Sequence, residues 1–361
     1  MMDYENVLLL FLSNYREESR QAKYSYFESE TKKEVIFTGE QTNDAPVKCL
    51  MSCAMKTSKE DNGKKVAFHK ILCIVTKETL TDCHDGKTTY QLFEEKLKAY
   101  CKEENINSDF EICKIRYNKE DEEKNDTTTE ARAMHIYSQI RSALNIDGPD
   151  KKKTYMYVDY TGGFRDISFL MTTIIRYLEF ADIECKKILY AKLSGEKHIY
   201  ELNCIYDMYQ MINGASEFVS TGNAVQLRKL FEKENIPDLI NAIIEFSNSM
   251  AVCDMSKIDK TVSDMAKLTE EVQEEHNSVY YEMFKSMIPM IREKMRLKEV
   301  VKQGKINYPV LIDWCTDNGL IQQATTLYVE KMPFYYREKG LIEKYVCVDC
   351  LLYTSPSPRD S

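Results

Sequence analysis

The chain reads as an α/β fold, a doubly wound and mainly parallel sheet, followed by an all-α unit. Three observations predict this. Strand-like and helix-like patterns alternate over the first ~200 residues, and the later half carries helical periodicity almost throughout. One apolar run also ends in Asp159-Tyr-Thr-Gly-Gly-Phe-Arg165, directly before a helix pattern.

Strand-like runs fall at 7–12, 70–75, 109–117, 154–160 and 186–192, with a weaker pair at 24–27 and 34–37. Helical patterns at 45–55, 88–104, 128–144 and 167–180 separate them. Strands joined through helices of this length cannot be hairpins, so they form βαβ units with helices on both faces. The segment 59–65 with Asn62-Gly63, the charged insertion 118–129 and Asp147-Gly-Pro-Asp150 read as loops and turns. Lys151–Lys153 reads as a solvated strand entry.

From about Tyr200 the periodicity becomes helical, with patterns at 199–213, 224–235, 237–250, 257–295 and 308–338. Asn213-Gly214 and Thr221-Gly222-Asn223 are expected to break the first helices, and Gly319 to end the helix over 308–318. The domain reading is therefore an α/β domain over 1–198, a helical domain over 199–345, and a tail at 346–361. The tail reads VCVDCLLYTSPSPRDS and abandons helical patterning. Its last eleven residues are similar to a translated sequencing adapter, so it is set aside from the fold, and the natural protein is expected to continue.

With 361 residues, 43% hydrophobic and 30% charged, the chain has room for two packed cores. Its longest apolar stretch, residues 7–12, is far short of the ~20 residues of a membrane span, and no signal-peptide pattern precedes it. A cytoplasmic protein with no membrane contact is expected. The twelve cysteines lack framework spacing and read as reduced thiols. Cys347 and Cys350 form a C-x-x-C without a second half, so no metal is expected. A net charge of −9 argues against sequence-blind coating of duplex DNA, which needs excess Lys and Arg.

The Thr161-Gly162-Gly163-Phe164-Arg165 loop is the candidate site. A strand that enters a small-residue loop and then a helix start offers backbone N–H groups, a positive dipole end and room for close approach, as an anion requires. Arg165 adds a guanidinium able to hold phosphate. The plainer reading is that both glycines only permit a tight strand–helix connection. The loop matches neither G-x-G-x-x-G nor the P-loop, so dinucleotide and nucleotide-hydrolysis chemistry lack their signatures. Two other loops belong at the same edge: Ser13-Asn14 after the first strand, and Gly39–Asn43 before the helix with Pro46 in its first turn. Thr42 is an acceptable N-cap there.

Strand–Asp159-x-Thr-Gly-Gly-Phe-Arg165–helix in such a domain resembles the CARF domain of CRISPR-associated proteins, a Rossmann-like fold. The segment Thr42-Asn-Asp-Ala-Pro46 resembles that family's second helix start. Trp314–Glu330 resembles the start of the HEPN region in CARF–HEPN ribonucleases of type III CRISPR systems, with Gln323, Ala324 and Leu327 matching and Thr325 departing from the usual leucine. The resemblance covers about residues 5–345. It implies a homodimer whose paired CARF domains bind cyclic oligoadenylate, with no other cofactor, and activate a metal-independent nuclease against single-stranded RNA. In that reading Thr161–Phe164 and Arg165 meet ring phosphates, while Ser13, Asn14, Thr42 and Asn43 meet adenine or ribose edges. Phe164 is expected to pack rather than stack, and Asp159 to orient the loop, because a carboxylate facing phosphate is repelled. Cleavage of the ligand by the CARF domain itself, through Thr161, Asn14 or Asn43, is left open.

HEPN ribonucleases use an Arg followed four to six residues later by His. None of His69, His84, His135, His198 and His276 has an Arg at that distance, and Arg132 lies three before His135. No catalytic pair is therefore assigned, and this chain is expected to be inactive towards RNA. Two other readings stand beside this one. One is a CARF-type regulator with a helical DNA- or partner-binding module, for which Arg292, Lys294, Arg296, Lys298 and Lys302 are the candidate basic stretch. The other is an unrelated Rossmann-like enzyme acting on a nucleotide or small anion.

Overall fold

The computed structural model describes residues 4–15, 21–28, 31–58, 60–61, 63–118, 128–149, 152–163, 165–232, 237–270 and 279–341. The chain divides into two compact units, Met1–Asn203 and Cys204–Ser361.

The first unit is built on one eight-stranded sheet of β1 (Tyr4–Phe11), β2 (Ala22–Glu28), β3 (Lys33–Gly39), β4 (Lys70–Val75), β5 (Glu111–Arg116), β6 (Lys153–Asp159), β7 (Ile183–Ala191) and β8 (His198–Glu201). Their spatial order is β3-β2-β8-β7-β6-β1-β4-β5. From β7 to β5 all neighbours run parallel. Strand β8 turns antiparallel to β7, β2 runs parallel to β8, and β3 is antiparallel to β2. The carboxyl end of β3 therefore lies at the same edge as those of the parallel strands. The central strand β1 is buried from Val7 to Phe11 without alternation, as a parallel strand covered on both faces must be.

Helices α1 (Asp44–Met55), α2 (Thr89–Glu103), α3 (Thr129–Ala143) and α4 (Arg165–Phe180) make the crossovers. Their starts are chemically specified. Thr88 caps α2 in a reciprocal box with Gln91, and Thr128 accepts from Ala131 N–H at the start of α3. Glu60–Asp61 and Lys64–Lys65 pair as a short antiparallel ladder, with Gly63 at φ +75°.

The expected helix over 199–213 is corrected at its start: His198–Glu201 is strand β8, and α5 (Asn203–Thr221) begins after it. Four residues carry too short a pattern to register as a strand, and their partners on β2 and β7 are distant in sequence. The expected break at Asn213-Gly214 is also corrected, because α5 runs through it. A Cβ at Gly214 would sit 3.2 Å from Gln226 Cβ and Leu227 Cδ2, so the glycine serves close approach to α6 (Val225–Phe231).

The helical unit continues with α7 (Asp238–Ala251), α8 (Met255–Leu268), α9 (Val279–Lys294), α10 (Tyr308–Asp317) and α11 (Ile321–Glu338). The single pattern over 257–295 is thus two helices, with Thr269 as the C-cap of α8. Gly319 at φ +71° ends α10 as a left-handed C-terminal residue. Phe246 forms the centre of this core, edge-on to Phe218 at 6.0 Å and 6.1 Å from the Trp314 ring.

Candidate ligand-binding edge of the sheet

Strand β1 lies between β6 and β4, and the crossovers leave in opposite directions on its two sides. That is a topological switch point, where the loops beyond the strand ends part and leave a crevice. The loop after β1 (12–15), the loop between β3 and α1 (40–43) and the loop after β6 (160–163) all lie at this edge.

Asn43 clips the three together. Its Oδ1 accepts from Ser13 N–H at 3.0 Å, and its Nδ2 donates to Phe11 O at 3.1 Å and to Asp159 Oδ2 at 2.7 Å. Both ends of the amide are committed, so its orientation is fixed. This corrects the expectation that Thr42 caps α1. Asn43 holds the N-cap position, and its side chain makes no cap bond because it is turned towards β1 and β6. Asp44, the first helical residue, instead ties down the preceding loop by accepting from Glu40 and Gln41 N–H, each at 3.0 Å.

Asp159 is fully buried, aligned beside Leu10 of β1. Its Oδ1 accepts from Thr161 N–H at 2.9 Å. Burial pushes its carboxyl up to about 6, against the opposing pull of hydrogen bonds from Thr161 and Asn43. Thr161 is occupied twice over: its N–H serves Asp159, and its hydroxyl accepts from Ala191 N–H at 2.8 Å. Tyr160 N–H meets Leu189 O at 2.8 Å, so the loop is also laced to β7.

The two glycines have different reasons. A Cβ at Gly162 would fall 2.0 Å from Phe11 O and 3.0 Å from both Asn43 Nδ2 and Ser13 Oγ. The absent side chain is what lets the loop cross the end of β1. Gly163 is exposed at φ +99°, where L side chains are strained. Helix α4 opens two residues later, so its positive end faces this edge. Asn14 is exposed, and Ser13, Thr42 and Thr161 are half-buried. Phe164 and the Arg165 side chain lie outside the described residues.

Residues that sequence reasoning missed stand beside these. Tyr15 donates its N–H to Thr89 Oγ1 at 3.2 Å and places its ring 4.8 Å from that of His84. Lys96 lies 5.8 Å from the Tyr15 ring centroid and pairs with Glu40 at 2.7 Å. Only the tertiary fold brings α2 to these loops; no local pattern marks Lys96. Among the described residues, no three His, Cys, Asp or Glu side chains are placed to hold a metal ion. No described helix is long and apolar enough to cross a membrane.

A Rossmann-like α/β unit with a three-loop edge, followed by a helical unit, is thus the class of protein that the fold defines. Residues 207–299, within the helical unit, match the family model of the second domain of CRISPR-associated protein MJ1674. The CRISPR-associated protein MJ1674 of Methanocaldococcus jannaschii is 29% identical over 86 residues, which span 22% of this chain and 14% of that relative. Both findings indicate a CRISPR-associated protein.

Proposed function

We propose that the α/β unit is a sensor of cyclic oligoadenylate and that its occupancy governs the helical unit as an effector. One observation carries this reading. Three loops meet at the switch point of a parallel sheet, tied by a single asparagine, with the start of α4 aimed at them. A phosphate placed there meets a helix dipole and exposed polar side chains, while the Asp159 carboxylate at the end of β6 is kept inside. The match to a CRISPR-associated family supports the CRISPR setting of the reading.

A homodimer suits a ring-shaped ligand, because a two-fold axis gives each half of the ring the same loops. Helix α4 leaves the candidate edge with Phe169 84% and Phe180 89% exposed, which supports a second copy lying against it. The proposed effector chemistry is HEPN-type cleavage of single-stranded RNA, without metal. The four described histidines lie in the α/β unit, and Arg132 is committed to Tyr117 OH at 3.0 Å and Asn118 Oδ1 at 3.1 Å. RNA cleavage by this 361-residue chain is therefore expected to be absent.

The regulator reading has less support. Of its basic stretch, Arg292 pairs with Glu270 and Arg296 with Asp317, which removes two charges from a groove-reading role.

The test is calorimetric titration with cyclic tetra-adenylate and cyclic hexa-adenylate, repeated on Thr161→Ala and Arg165→Ala. One ring binds the wild type at one ring per two chains, and both variants lose at least about ten-fold in affinity. Absence of binding by both rings would refute the sensor; activated cleavage of single-stranded RNA by this chain would refute the expected inactivity.

A further inference from the structure

We propose that Lys96 is an anion-contacting residue of the sheet-edge site, held in reserve by Glu40 until the ligand displaces that carboxylate. The inference rests on the sensor reading above and adds to it a residue and a latch.

Lys96 stands on α2, outside all three loops, yet its ammonium reaches two of them. It lies 2.7 Å from Glu40 Oε2 and 3.7 Å from Asp44 Oδ2, on the segment that carries Thr42 and Asn43. It also lies 5.8 Å from the ring centroid of Tyr15, next to Asn14. Beside it opens a cleft of about 270 Å³ between α1 and α2, whose lining includes Glu40, Asp44, Lys48, Lys96, Tyr100 and Glu103. Lys48 is already committed, donating to Thr38 O at 2.8 Å. Asp44 is committed to the N–H groups of Glu40 and Gln41.

Glu40 differs from both. Its side chain is 49% exposed and pairs with Lys96, whose own side chain is 31% exposed. A pair this open to water adds little to stability, so breaking it costs the fold little. The pair shifts both groups towards their charged forms, Glu40 downward through its hydrogen bond from Lys96 and Lys96 upward against its burial. An arriving phosphodiester offers Lys96 an equal charge without the need to keep Glu40 in place. Glu40 meanwhile repels the same phosphodiester. The two residues thus oppose each other: Lys96 favours occupancy and Glu40 delays it.

Opposite signs make the test decisive. Wild type, Glu40→Gln, Lys96→Met and the double variant are titrated calorimetrically with whichever of the cyclic tetra- and hexa-adenylate rings binds. Glu40→Gln is expected to tighten binding about three- to ten-fold, and Lys96→Met to weaken it about ten-fold. The double variant should bind somewhat more tightly than Lys96→Met and less tightly than Glu40→Gln, because Glu40 also repels the phosphodiester directly. The slope of log K against log salt should fall by about 0.7 in Lys96→Met, the loss of one phosphate contact. Lys96→Arg keeps the charge and should restore both affinity and slope, which a packing defect would not permit. The inference is overturned if Glu40→Gln weakens binding or leaves it unchanged, or if Lys96→Met keeps the wild-type salt slope. If Thr161→Ala still abolishes binding in that case, the sensor reading survives alone. If the wild type binds neither ring, both fall together.

Discussion

Gly162→Ala is the sharpest perturbation that the structure offers. The added Cβ would lie 2.0 Å from Phe11 O, whereas real Cβ atoms hardly ever come within 3.0 Å of a neighbour. The loop or the end of β1 must therefore move by about 1 Å, and neither is free to do so. Phe11 O holds the Asn43 amide, and Thr161, one residue before Gly162, is bonded to Asp159 and Ala191. Overpacking against backbone costs about 2 kcal/mol, which in a unit of this size lowers the melting temperature by about 4–8 °C. Gly195→Ala is the control. Unlike Gly162 it sits at positive φ, +70°, and its Cβ would meet nothing within 4 Å, so it carries backbone strain of about 1 kcal/mol and no collision. Thermal unfolding followed by circular dichroism compares the two. A Gly162→Ala melting point within a degree of wild type, or above that of Gly195→Ala, would show that the loop does not cross β1 as described.

Two further predictions concern the clip. Because Asp159 has its folded pKa raised to about 6, the native state binds more protons than the unfolded chain between about pH 4 and 6. Its contribution to stability is therefore greatest at low pH and declines by about 2–3 kcal/mol as pH rises through that window. Urea unfolding of wild type and Asp159→Asn across pH 4–7 should show this decline only in the wild type; parallel profiles would contradict it. Asn43→Ala removes the hydrogen bonds to Ser13 N–H, Phe11 O and Asp159 Oδ2, and should cost about 2–3 kcal/mol in the same assay. A loss under 0.5 kcal/mol would mean that the amide is not the tie between the loops.

Much of the architecture was legible in local pattern. The apolar run at 7–12 reads as a strand and is one, buried on both faces, and the helix patterns at 88–104 and 128–144 begin at the threonines that the structure shows as their caps. Periodicity failed where tertiary neighbours overrule it. Strand β8 is four residues long and exists because β7 and β2 flank it, and Gly214 reads as a breaker although α6 needs its bare Cα. At the site, Thr161, Gly162 and Asp159 stood out in sequence because strand, small-residue loop and helix are contiguous. In sequence Asn43 reads as a ligand contact, and Thr42 as the cap whose position Asn43 occupies. Lys96 gave no signal.

The sequence by itself determined that this protein has an α/β half with a glycine loop at a strand end and a helical half, because strand and helix periods and turn chemistry act over a few residues. Tertiary structure alone decided which loops meet, that Asp159 is sealed beneath Asn43, and that a lysine from α2 arrives beside them. Strand order is set by packing between segments more than a hundred residues apart, and no local pattern records such distances.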